Sequence, residues 1–151
     1  MATYYWKKGF FKAAHQIYQD GEGIGWMKEK FWSSSAEAEW KGKQYYFQSV
    51  GFFKRSALII DLQKNETIGD IVFSNWKMQA TVQLNGAAYL MKRVSFWKSA
   101  YTLYAANGSC AEFQNRFASG VINATTDNGV LLLAGFFVIL KHKQQQSNAA
   151  H

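Results

Sequence analysis

Between Asp70 and Glu112 the chain contains four cations, Lys77, Lys92, Arg93 and Lys98, and no acidic residue. Ammonium and guanidinium groups pair with phosphate through charge-assisted hydrogen bonds. An uninterrupted basic stretch is therefore a candidate surface for anionic phospholipid headgroups or another polyanion. The 151-residue chain has a net charge of +7. Elsewhere its acids cluster in turn-like segments, Asp20 and Glu22 and then Asp61, Glu66 and Asp70, where they offset nearby lysines. The competing use of such charge is dispersal: lysines keep a chain soluble and guard sheet edges. The two uses differ in geometry, because a binding surface needs the four cations to converge.

Other residues that could do chemistry do not assemble by spacing. His15, His142 and His151 form no i, i+4 pair with a second ligand type, so no metal site is expected. Cys110 is the single cysteine; it excludes an internal disulfide and reads as a small buried hydrophobe rather than a nucleophile served by His15. Glu37 and Glu39 alternate on one strand face and read as solvated, not as an acid–base pair. Gly21-Glu22-Gly23-Ile24-Gly25 reads as a hairpin turn, not a phosphate cradle. Trp26, Trp32, Trp40, Trp76 and Trp97 could stack on bases beside lysines, but several recur at equivalent places in a repeat. That recurrence assigns them to the core and argues against nucleic acid. No catalytic residue and no cofactor is expected, and the chain reads as non-enzymatic.

The elements that must position the cations follow from the repeat. Gly9-Phe10-Phe11-Lys12, Gly51-Phe52-Phe53-Lys54 and Ser95-Phe96-Trp97-Lys98 start 42 and 44 residues apart. The first two copies then share Ile24-Gly25 and Ile68-Gly69, an alternating segment (Ala36 to Trp40; Ala80 to Leu84), and a Gly-turn with an aromatic (Gly42 and Tyr45; Gly86 and Tyr89). A period of this length holds about four strands with their turns. The openings read as three equivalent strand starts with lysines on a solvated rim. Copy three lacks an Ile-Gly pair and a clear Gly-turn aromatic, which predicts short or missing strands there. Proline is absent and aromatics reach 17%, suiting a mainly β fold with a densely packed interior.

Val130 to Leu140 is an eleven-residue run without a polar side chain. Thr125-Thr126-Asp127-Asn128 before it can cap a helix, and Lys141-His142-Lys143 after it suit a helix C-terminus. These flanks favour a helix over about 127–143 against a buried central strand, with a polar tail at 144–151. Eleven helical residues cover roughly 17 Å, short of the roughly 30 Å hydrocarbon core, so no transmembrane segment is expected. A helix apolar on every face must be enclosed by protein.

A β-repeat chain ending in such a helix resembles the tubby-like superfamily, which includes the phospholipid scramblases and LURP-one-related proteins. The match rests on Phe11-Lys12, Phe53-Lys54 and Trp97-Lys98, on Ile24-Gly25 and Ile68-Gly69, and on Val130 to Leu140. The resemblance implies one domain over residues 1–143: a closed antiparallel barrel of about twelve strands around a buried C-terminal helix. It also implies phosphoinositide binding, known for tubby domains, though that lipid motif does not map onto residues here. The functional expectation is a binding module for anionic lipid headgroups, with a protein-interaction scaffold as the alternative. Lipid scrambling fits less well, since the helix is short and no calcium-loop pattern is present. No secretory signal precedes the repeat, so a cytoplasmic location, peripheral at a membrane, is expected.

Overall fold

The computed structural model describes residues 1–9, 14–30, 33–51, 55–74, 77–95 and 99–149. Twelve strands form a closed antiparallel barrel in which each strand pairs with its sequence neighbours and β1 pairs with β12. In order they are β1 (Ala2–Lys8), β2 (Ala14–Gln19), β3 (Glu22–Glu29), β4 (Ala36–Trp40), β5 (Lys43–Val50), β6 (Ser56–Asp61), β7 (Glu66–Phe73), β8 (Gln79–Leu84), β9 (Ala87–Arg93), β10 (Ser99–Ala105), β11 (Gly108–Asn115) and β12 (Ser119–Ala124). One helix among the described residues, α1 (Gly129–Ala149), follows.

Strand alternation turns one side of every strand inward. On β4, Ala36, Ala38 and Trp40 are buried while Glu37 and Glu39 face out, as the alternation in the sequence requires. The wall is thus apolar inside and largely polar outside, the reverse of a barrel whose strands face lipid.

The repeat is real and threefold. Register shifts occur at Ile17/Tyr18, Ile59/Ile60 and Leu103/Tyr104, with the same spacing as the aromatic openings. At each, one residue of the partner strand is left over: Ile24, Ile68 and Cys110, all packed against the core. The Ile-Gly signature is therefore a β-bulge followed by a position of close approach. A side chain at Gly25 or Gly69 would collide with the backbone carbonyl of Glu39 or Gln83. Copy three builds the same bulge with Cys110-Ala111, which accounts for the lone cysteine as a packing residue.

Copy three is also complete, contrary to the expectation of missing strands. Its fourth strand is β1, from the other end of the sequence. Tyr4 and Trp6 of β1 stand where Tyr45 and Phe47 stand in β5, and where Tyr89 and Met91 stand in β9, as the matching registers Trp6↔Gly120, Phe47↔Ala36 and Met91↔Ala80 show. The openings expected as strand starts fall just before the described β2, β6 and β10, and their residues 10–13, 52–54 and 96–98 lie outside the described residues.

The helix fills the lumen. Every residue from Gly129 to His142 is buried, and burying one large apolar side chain stabilises by roughly 1.5–3 kcal/mol. Phe136 meets Trp6 and His15, and Phe137 stacks on Phe47 with ring centroids 5.2 Å apart. The start lies two residues later than the sequence suggests, because Asn128 is the cap: its Oδ1 accepts from the Leu131 N–H at 3.2 Å. The end lies further on, at Ala149 rather than residue 143. No glycine or proline follows Lys143 to stop the helix, so residues 144–149 of the expected polar tail are its continuation.

Candidate anion-binding surface

Hairpin connections alternate between the two ends of an antiparallel barrel. At one end β2–β3, β4–β5 and β8–β9 are joined by Asp20-Gly21, Lys41-Gly42 and Asn85-Gly86, each with both residues at positive φ. Such paired left-handed residues make tight hairpin turns whose twist matches the strands. Asp20, Glu22, Glu39, Asp61, Glu66 and Asp127 belong to this end. At the opposite end run the connections β1–β2, β3–β4, β5–β6, β7–β8, β9–β10 and β11–β12, and here the helix terminus emerges.

The cations gather at that second end. Of the fourteen Lys and Arg residues among the described residues, all except Lys41, Lys43 and Lys64 belong to its strand ends, its connections or the helix segment reaching it. Only two acids accompany them. Glu37 pairs with Lys30 at 3.1 Å, and Glu29 is half-buried at the barrel mouth. Burial raises the pKa of Glu29 while Lys141, Lys8 and Lys143 pull it down.

Of the residues singled out by sequence, Lys77 and Lys92 lie on this rim. The Arg93 N–H donates to the Met78 carbonyl at 3.0 Å, and Lys92 is in register with Gln79, so β8 and β9 hold the two lysines near each other. Arg93 parts from Lys92. It shares the inward face of β9 with Met91, stands in register with Tyr101, and donates through Nε to the Ser95 carbonyl at 3.0 Å. Lys92 faces the outer wall. Lys98 lies outside the described residues.

The mouth below the rim is polar but settled. Tyr101 Oη and His142 Nδ1 are 2.7 Å apart. Burial pushes the tyrosine up to about 12 against the pull of Arg93. Burial and then the Arg93 charge push His142 down to about 4. Both shifts keep the pair neutral. His15, also held near 4 by burial and then by Lys8, is 6% exposed against Trp6 and Phe136, and its Nδ1 has no hydrogen-bond partner among the described residues. Lys143 Nζ donates to the backbone carbonyls of Arg116 and Phe117 at 3.0 and 3.4 Å. That clasp ties the helix end to the β11–β12 connection, where Phe117 is 99% exposed.

The nucleophile–base pairing weighed from sequence has no geometry. Cys110 is near the acid-rich end of β11 and His15 near the cationic end of β2, and burial raises the Cys110 thiol. Among the described residues no three of His, Cys, Asp and Glu gather as a metal site, and no helix is long and apolar enough to cross a membrane. Trp40 is buried in the core, whereas Trp26 is half-buried on the outward side of β3; Trp32, Trp76 and Trp97 lie outside the described residues.

One sequence signal for this end was available in the alternation of connections. In sequence, those at the cationic end hold Phe10-Phe11-Lys12, Lys30-Phe31-Trp32, Phe52-Phe53-Lys54, Trp76-Lys77, Phe96-Trp97-Lys98 and Arg116-Phe117, while the tight turns at the other end hold no aromatic. No family model, curated protein or solved structure matches the chain.

Proposed function

We propose that this barrel is a non-enzymatic binding module whose cationic end engages anionic phospholipid headgroups. The segregation of charge carries the reading: eleven of the fourteen described cations lie at one end and six of the ten acids at the other, along one barrel axis. Each Lys or Arg brought near an anionic membrane surface contributes about 1 kcal/mol, so several on one rim suffice for peripheral attachment. Phe117 beside Arg116 supports the same orientation, since an aromatic ring next to a cation suits the headgroup boundary. The outward polarity of the wall supports docking by an end rather than burial of the strands in lipid.

Co-sedimentation with vesicles tests this. The expected result is retention on phosphatidylserine-containing vesicles at moderate salt, weakening as salt rises, with little retention on phosphatidylcholine alone. Equal partitioning to both would remove the lipid reading and leave the protein-interaction scaffold.

A further inference from the structure

The threefold repeat lets the barrel serve as its own reference. At the seam between β3, β4 and β5, Lys28 is in register with Glu37, and Glu37 with Tyr46. Lys30 reaches back over this row, 3.1 Å from the Glu37 carboxylate and 5.6 Å from the Tyr46 ring centroid. A cation, a carboxylate and an aromatic face thus form one closed unit on the wall.

The equivalent seam between β11, β12 and β1 keeps two of the three parts. Gln114 is in register with Val121, and Val121 with Tyr5. The Arg116 N–H donates to the Ser119 carbonyl as the Lys30 N–H does to that of Ser35, so Arg116 corresponds to Lys30 and Tyr5 to Tyr46. Where Glu37 should be, there is Val121. No acid pairs with Arg116 or Lys7 among the described residues. Here the wall opens into a groove of about 990 Å3, lined among others by Tyr5, Tyr18, Lys7, Gln114, Arg116 and Val121. The middle seam, with Ser74, Thr81 and Leu90 at these positions, lacks both the cation and the acid.

We infer that this groove is a binding site for a small acid-headed ligand with a flat or ring body. The carboxylate or phosphate head occupies the place that the Glu37 carboxylate fills in the first repeat, paired with Arg116 and Lys7. The body lies along the adjoining faces of Tyr5 and Tyr18 over Val121. The volume is in the range of small-molecule sites. This site is on the outer wall and does not depend on the end-on lipid reading.

The test uses the full chain in solution without vesicles, followed by NMR shifts of backbone amides. The probes are 2-naphthoate and 2-naphthyl phosphate, with neutral 2-naphthamide as control. Both acids are expected to shift amides of β1, β11 and β12, and the tighter of the two identifies the head group. Arg116→Gln should weaken binding at least tenfold. Val121→Glu should abolish it, because the side chain restores the carboxylate that the first repeat carries; 121 is on the outer wall, so the fold tolerates the change. Conversely, Glu37→Gln should create weak binding at the Lys30 seam. The inference is overturned if neither acid binds, if 2-naphthamide binds as tightly, or if Val121→Glu, shown folded by its spectrum, leaves binding unchanged. Loss of vesicle binding with groove binding intact would instead remove the lipid proposal alone.

Discussion

The two ends of the barrel are made by the same repeated strands, yet they differ in every respect that bears on recognition. One is closed by short turns, with paired left-handed residues at 20–21, 41–42 and 85–86 and acids beside them. The other has a described cation at or beside each of its six strand connections and an exposed Phe117. The contrast teaches that the tight end meets the demands of the chain itself, since hairpin geometry dictates its residues. The cationic end exceeds those demands. Nothing in closing a hairpin requires an aromatic beside a lysine or arginine.

The largest test of the contrast is to remove what joins the ends. Phe136 is completely buried between Trp6 and His15, and Phe136→Ala should cost about 3–5 kcal/mol. If α1 couples the ends, urea unfolding followed by amides at either end should show one shared, lowered midpoint. Two separate transitions would mean that the ends are independent.

Acid should act next, from the cationic side. His15 and His142 titrate near 4 in the fold against 6.5 when unperturbed. The unfolded chain then binds protons first as pH falls. Their contribution is complete above about pH 6.5 and is lost progressively toward pH 4, up to about 3 kcal/mol for each histidine. Thermal melts should drop through that window, and His15→Phe should flatten the drop. A melt that is insensitive between pH 6.5 and 4 would contradict the buried neutral assignment.

A smaller effect sharpens the charge contrast directly. Lys77→Gln with Lys92→Gln removes two rim cations and should weaken phosphatidylserine-vesicle binding by roughly 2 kcal/mol, about thirtyfold. Lys41→Gln with Lys43→Gln, at the opposite end, should change it less than twofold. Equal losses from the two pairs would show that net charge matters and position does not.

The smallest effect lies in the tight turns. Gly86 has φ +84, so Gly86→Ala should cost about 1 kcal/mol of stability and leave vesicle binding untouched. A drop in binding on this substitution would erase the distinction between a structural and a recognising end.

Much of this architecture is legible in the sequence, because repeated constraints leave repeated residues. Glycines at 25 and 69 are dictated by backbone contact, and the flanks of the all-apolar run favour an enclosed helix. What stays hidden depends on closure. Tyr4 and Trp6 belong to the third repeat, but nothing local in β1 says that its partner is β12, more than a hundred residues away. Lys141 and His142 look like the solvated end of a helix, yet Phe137, Phe73 and Tyr101 enclose them. Lys92 and Arg93 are read together from sequence and part in the fold, because neighbours on a strand face opposite ways. That Val121 stands where the first repeat has Glu37 is invisible until the registers align the two.

The pairing of β1 with β12, followed by α1, has a consequence for how the protein is made. A ribosome delivers β1 first and the lumen helix last. Until α1 emerges, the nascent strands have no interior to pack upon, and β1 has only one neighbour along its edge. Closure of the barrel is therefore a late event that awaits almost the whole chain, because β1–β12 pairing joins distant parts of the sequence, the kind of contact that forms slowly. During synthesis the aromatic inward faces stay exposed, and protection of the nascent chain falls to whatever meets it at the exit tunnel.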